Sequence, residues 1–339
     1  KVLFASDRTG ATGIWAVAVA DGKARGAPEL VKPNVGRISP LGFSRNGSYY
    51  YALNTTMEDI YVAEVDPAIG QVLGSPQRVS ERFLGSNSAP AWSPDGRQLA
   101  YLSRRGHAMN LPGSLTLVIR SVQSGEERDL VTRLNLSVPI QWFPDGRSLL
   151  VPARDNRGRW SFYRVDAQSG RAVLIRQSAT IGGPPHPALS RDGKAIFFLH
   201  RDLKARSSSI LVHGIQDGRD KELYRVVHPK ELASPTVSRD GRQLAFVVMD
   251  QGLYLMPASG GEAREILRAP NVHGPGRLAW TADGRQVLVV RSTGSPGQTE
   301  LWRVPVAGGE PQKIDLPAGL AFPSFHPDGR RLAFTGGRA

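Results

Sequence analysis

Apolar residues recur along this chain in short runs that alternate with polar ones, and the runs return on a regular beat. Seven segments carry one pattern: GFSRNGSYYYAL, AWSPDGRQLAYL, QWFPDGRSLLVP, ALSRDGKAIFFL, TVSRDGRQLAFV, AWTADGRQVLVV and SFHPDGRRLAFT. Their glycines (Gly47, Gly96, Gly146, Gly193, Gly241, Gly284 and Gly329) stand 43 to 50 residues apart. Four residues before each glycine comes Phe43, Trp92, Trp142, Leu189, Val237, Trp280 or Phe325. Three after it comes Tyr50, Leu99, Leu149, Ile196, Leu244, Val287 or Leu332, and two further on the parity repeats. A period of two marks strands with one face turned to a core, so each segment reads as a strand, a tight turn and a second strand. Asp or Asn followed by Gly supplies the left-handed residue that closes such a hairpin.

A third strand follows in each unit, as in GIWAVAV, DIYVAEV, SFYRVDA and ELWRVPV, and then a shorter fourth, as in PELV, RDLV and REIL. Units of four strands at this period are the size of propeller blades. Stacked flat they would expose a long unpaired edge, and radial arrangement about an axis removes it. The expectation is an all-β chain, a β-propeller of four-stranded antiparallel blades over residues 1–339 as a single unit. Seven blades fit the seven turns, with six or eight as alternatives. Closure is expected between the chain ends, the last hairpin joining the N-terminal third and fourth strands. Eight second strands are then available, because both KVLFASDR and RRLAFTGG qualify, and one is spare.

The SPDG-type turns and the third strands bearing -IY- or -LW- resemble the TolB-like propeller repeats of bacteria over nearly the whole chain. VLFASDRTGATGIWAV and GSNSAPAWSPDGRQLAYLSRRG are similar to runs in multi-repeat propellers of large soil-bacterial proteins, where such repeats follow a regulatory or sensor region. The GH…WD signature of tryptophan–aspartate repeats is missing. The resemblance implies a periplasmic or other extracytoplasmic place, tethering to further domains of the same chain, and a binding role.

Composition narrows the function classes. The chain has no cysteine, which excludes disulfides, thiolate metal sites and a cysteine nucleophile. Its net charge is +13, from 43 Lys and Arg against 30 Asp and Glu. These basic residues are dispersed, without the concentrated runs that nucleic-acid modules use, so no nucleic-acid partner is expected. No apolar stretch is long enough for a membrane helix, and no membrane insertion is expected. The chain opens at Lys1 without a Met or a signal pattern, so it reads as a piece of a longer protein.

Candidate chemistry falls on loops. In a propeller the connections between blades share a face with the loops between second and third strands, opposite the Asp-Gly turns. The longest connections, 80–89, 103–114, 154–159, 176–186, 225–233 and 268–277, mark that face as the binding surface. Candidates there are Arg104, Arg105, His107 and Asn110, then Asp155, Asn156 and Arg157, joined by His186, His200, Arg201 and His273. Together they describe a cationic mouth for a protein or peptide partner, with an acidic one favoured. The plain alternative is solvated loop surface. A second set, Arg97, Arg147, Lys194, Arg242, Arg285 and Arg330, rings the opposite face, but an Asp two residues before each one cancels most of its field. Residues five before each turn glycine (Gly42, Ala91, Gln141, Ala188, Thr236, Ala279 and Ser324) are expected to line the central channel. They are mostly small and uncharged, which argues against a metal on the axis.

No G-x-S-x-G elbow, HExxH pair or GxxxxGK[ST] loop occurs. No catalytic residue, cofactor or metal is expected within these residues. Three functions remain: a non-catalytic protein- or ligand-binding scaffold, the gating propeller of a prolyl-oligopeptidase-like serine hydrolase, and a structural spacer in a sensor or cell-envelope protein.

Overall fold

The repeated turn shows why these residues form hairpins. In each Asp-Gly turn the carboxylate accepts the backbone N–H two residues on: Arg97 to Asp95 at 3.0 Å, Arg147 to Asp145 at 2.9 Å, and Arg330 to Asp328 at 2.8 Å. Lys194, Arg242 and Arg285 repeat the bond to Asp192, Asp240 and Asp283 at 3.0 Å. Ser93, Ser190, Ser238 and Thr281 add a hydroxyl to the same carboxylates. That hydroxyl, with the backbone N–H, holds the carboxyls of Asp95, Asp192 and Asp240 below the usual range. Gly96 and Gly284 sit at φ +72° and +70°, where a Cβ is disfavoured. The basic residue after each turn is thus tied through its backbone to the structure of the turn.

The computed structural model describes residues 1–6, 8, 13–33, 35, 37–54, 57–66, 71–105, 115–155, 157–177, 186–269, 272, 277–294, 298–316 and 319–338. All regular structure among them is β. Six sheets carry four strands or more, every pairing antiparallel. The first five begin at inner strands Asn87–Trp92, Gln141–Trp142, Ala188–Leu189, Leu232–Val237 and Leu278–Trp280. In the second sheet the inner strand is split, with Asn135–Leu136 pairing further along Ser148–Arg154. The sixth sheet draws on both halves of the chain, in the order Ala321–Phe325, Arg331–Arg338, Met57–Val65 and Val72–Arg78.

Each junction between neighbouring sheets has its own core. Alternation along one strand divides its side chains between two junctions. Ala100 and Leu102 pack toward the second sheet with Leu149 and Val151, whereas Leu99 and Tyr101 pack toward the sixth with Ile60 and Ala333. Phe198 with Leu150, Phe246 with Leu199, Val289 with Leu255, and Phe334 with Leu288 fill the remaining junctions. The junctions therefore form a complete circuit, each buried side chain contributing about 1.5–3 kcal/mol. Indole N–H groups reinforce it by donating to the preceding sheet: Trp142 to Ala91 O at 3.0 Å, Trp280 to Thr236 O at 3.2 Å and Trp92 to Ser324 O at 3.1 Å. The tryptophans are blade-to-blade ties.

The junction of the sixth and first sheets is the most heavily bonded. His326 Nε2 meets Gly96 O at 3.0 Å, and the Ala89 N–H donates to Thr335 Oγ1 at 2.9 Å. Buried Asp59 accepts the Gly85 N–H at 3.0 Å and the Asn87 side-chain amide at 2.9 Å.

The closing register differs from the one expected. The last hairpin does not join the third strand at Gly13–Ala20, because Val2–Ser6 already occupies that edge, pairing from Val2↔Val17 to Ser6↔Gly13. It pairs with Met57–Val65 instead. The apparently spare second strand has a partner, and no seventh four-stranded sheet forms among the described residues. Val2–Ser6, Gly13–Ala20 and Lys23–Lys32 make a three-stranded sheet, and Arg37–Phe43 with Tyr49–Asn54 a hairpin. These share a small core of Ile14, Val35 and Ile38 flanked by Tyr49 and Tyr51.

Two stability measurements follow. Trp142→Phe removes the indole bond to the Ala91 carbonyl between two sheets and should lower unfolding free energy by about 1 kcal/mol in denaturant titration. Trp302→Phe loses only a bond to the outlying Glu300 and should stay within about 0.5 kcal/mol. Separately, Gly96→Ala should cost more than Gly284→Ala. Both glycines have similar φ, but a Cβ at 96 would lie 2.1 Å from His326 Nε2, whereas one at 284 has nothing within 4 Å.

Candidate functional site

Five inner strands, with His186 and Arg191 flanking the inner strand of the third sheet, line a central cavity of about 340 Å³. On the side of the inter-blade connections its wall is built by a repeated backbone irregularity. The residue seven before the turn glycine has positive φ in four sheets: Ala89 at 56°, His186 at 41°, Ser234 at 48° and Phe322 at 52°. Ladder register slips between Ser88 and Ala91, Ala233 and Thr236, and Ala321 and Ser324. Such bulges re-aim side chains and tend to concentrate where a site is built. Pro90, Pro187, Pro235 and Pro323 follow these residues, and a proline has no N–H to be orphaned where the ladder breaks. This Pro, six before the turn glycine, is the sequence signal that could have located the mouth.

Below the mouth the wall is made by Ala91, Gln141, Thr236, Ala279 and Ser324, as the spacing predicts. Ala188 is buried outside the lining, and Gly42 lies in the separate N-terminal hairpin. Trp92, Trp142 and Trp280 also contribute to the wall. Gln141 ties the second sheet to the third, accepting from Leu189 N at 2.7 Å and donating to Pro187 O at 3.3 Å. At the turn end lie Arg191 and Arg239. Arg239 donates across to Ala282 O at 3.4 Å and Pro327 O at 3.1 Å, narrowing that end.

His186 is the polar feature of the mouth. It is 8% exposed, and neither ring nitrogen has a hydrogen-bond partner among the described residues. Burial first, and the charge of Arg201 second, push its pKa down to about 4, so the imidazole is neutral near pH 7. A neutral ring with both nitrogens unengaged can donate from one and accept on the other, which suits the backbone of an extended peptide.

The other sequence-predicted residues scatter. Arg201 lies near His186, pairs with Glu231 at 2.8 Å, and shares a second pocket of about 240 Å³ with Arg206, His228 and Lys230. His200 is half-buried on the strand Ala195–Asp202. Arg104 ends Gln98–Arg104, its N–H donating to Ser86 O at 2.7 Å. Arg105 is committed to packing, with its guanidinium 3.3 Å from the Phe83 ring centroid and bonds to Asp129 at 3.0 Å and Ser103 at 2.9 Å. Asp155 serves a turn: it accepts the N–H groups of Arg157 and Arg159 at 2.9 Å, which with the Arg159 side chain hold its carboxyl below the usual range. Arg157 is exposed. His107, Asn110, Asn156 and His273 lie outside the described residues.

In structure the chain is similar to a TolB from Agrobacterium tumefaciens, with a TM-score of 0.67 at 18% identity, covering 84% of this chain and 100% of that one. The chain has the β-propeller fold of that protein. In sequence the chain is 24% identical to the Tol-Pal system protein TolB of Francisella tularensis over 212 residues, 62% of this chain and 45% of that protein. It is also 30% identical over 159 residues to the peptidase YuxL of Bacillus subtilis, 46% of this chain and 21% of that protein. The chain thus spans less than half the length of these two curated relatives. No family model matches it.

Burial of His186 has a pH signature. With its folded pKa near 4 against 6.5 unfolded, the unfolded chain takes up the proton first. His186 should therefore cost stability progressively as pH falls from about 6.5 to 4, on the order of 3 kcal/mol in all. His186→Asn, which tolerates the same backbone, should flatten this part of the profile in denaturant titrations. An unchanged slope would show that the imidazole titrates normally.

Proposed function

We propose that residues 1–339 act as one non-catalytic binding module, a propeller ring of six blades carrying an N-terminal extension, and that it takes an extended protein segment at the inter-blade mouth of its cavity. The observation that carries this reading is the buried His186 at that mouth, in a positive-φ backbone and with neither ring nitrogen partnered among the described residues. Arg191 and half-buried Arg239 at the far end set positive charge beside the cavity and favour an acidic segment. No carboxylate lines the cavity among the described residues, so a pair of carboxylates for general acid–base work is missing there. Relatives named as TolB of a Tol-Pal system support a protein partner over a metabolite. Tethering to other domains of a longer chain fits the share of those relatives that this chain spans.

A second reading has its own support. The match to a peptidase of which this chain spans 21% favours the substrate-gating propeller of a serine hydrolase whose catalytic domain is separate. Both readings use the same mouth, and turnover by the chain itself is expected in neither.

Peptides selected by display against the immobilised chain should compete for one site in calorimetric titration. Ala279→Trp, which fills the cavity, should weaken them at least tenfold with the melting temperature little changed. Binding indifferent to that substitution would move the site elsewhere. Hydrolysis of peptide esters by the purified chain above the buffer blank would contradict the non-catalytic reading.

A further inference from the structure

Two hairpins of this chain answer to one strand edge. Arg331–Arg338 holds the edge of Met57–Val65 through eight residue pairs, from Arg331↔Glu64 to Arg338↔Met57. In each of the first five sheets that edge belongs to the second strand directly preceding in sequence, as Gln98–Arg104 pairs with Leu115–Ser121 and Ala195–Asp202 with Ser207–Gly214. By that rule the strand due beside Met57–Val65 is Tyr49–Asn54, which ends only two residues earlier. It pairs instead with Arg37–Phe43 alone among the described strands, leaving its other edge without a ladder.

The two candidates are equivalent in register. With Gly47 set on Gly329, Tyr50, Tyr51 and Ala52 fall where Leu332, Ala333 and Phe334 stand, opposite Ala63, Val62 and Tyr61. The connection would then run through residues 55–58, as long as the 203–206 turn that joins Asp202 to Ser207. Closing so short a loop costs far less chain entropy than closing one through the whole ring. The C-terminal strand holds the edge because it brings more. Phe334 stacks on Tyr61 with centroids 5.9 Å apart, and Thr335 accepts the Ala89 N–H, whereas Ala52 carries no ring. Displaced from the edge, the N-terminal hairpin leaves Leu41, Phe43 and Tyr50 69%, 58% and 58% exposed. That is an uncovered apolar surface beside an unpaired strand, a combination that folded chains ordinarily cover.

We propose that the 37–54 hairpin is a docking element for the Met57–Val65 edge of its own chain, and that it replaces the 321–338 hairpin whenever that one leaves. The exchange opens the noncovalent seam of the ring without stripping Met57–Val65 of a partner. It frees a C-terminal hairpin that carries Phe334 and Thr335.

The absence of cysteine makes the test direct. Val62→Cys combined with Ala333→Cys reports the closed arrangement, and Val62→Cys combined with Tyr51→Cys reports the exchanged one, since residues opposed in an antiparallel pair lie within disulfide range. Oxidised under native conditions and read by peptide mass mapping, the first pair should bond almost completely within one chain. The second should bond slowly within one chain, and its yield should rise at least fivefold when Phe334→Ala is added. Failure of the second pair to bond, in conditions where the first does, overturns the exchange. A disulfide of the second pair found only between chains also overturns it, because the occupant of the edge would then be a second copy.

Discussion

The structure depends on the edge of one strand. Each four-stranded sheet buries one face against the sheet before it and the other against the sheet after it, so a row of such sheets always ends in two uncovered faces. Bringing the ends together is the way to cover both. Here that meeting falls inside the sixth sheet, where Arg331–Arg338 adds to Met57–Val65. Six separate cores, one at each junction, then depend on one another, because loosening any junction lets the circuit spread. The concentration of bonds at the last junction, with His326, Thr335, Trp92 and Asp59 all engaged across it, fits the place where chain connectivity gives no help.

The candidate site inherits this dependence. The cavity exists only where the inner ends of the six sheets meet, and the positive-φ residues line it because their neighbours fix the strand ends. His186 is neutral for the same reason: closure buries it, and burial disfavours the imidazolium. Site and seam are one mechanical system.

Much of this was legible in the residues. The spacing of the turn glycines and the parity of Trp92, Trp142 and Trp280 give the strand order, the inward faces and most of the channel wall. The Asp-Gly turns explain the basic residues that follow them. The closing register was hidden because Gly13–Ala20 and Met57–Val65 are equally good third strands in sequence. Only the claim of Val2–Ser6 on the first of them decides the matter. The count of turns alone does not give the count of four-stranded sheets: seven turns are present, but the turn at Gly47 belongs to a hairpin outside the six such sheets among the described residues. Among the site residues, Arg105 and Asp155 look like ligand-binding groups until their local partners, Phe83, Asp129 and Arg159, are seen. His186 was identified among the candidates, yet its isolation from partners is a property of packing that spacing does not encode.

Native-state hydrogen exchange resolved to single amides tests the closure most directly. If the account is right, the ladder amides of Arg331–Arg338 are protected in the native state, as are those of Met57–Val65 and of Gln243–Val248, a central strand of the fourth sheet. Fast exchange of Arg331–Arg338 while Gln243–Val248 stays protected would mean that the ring is not held shut by its last strand.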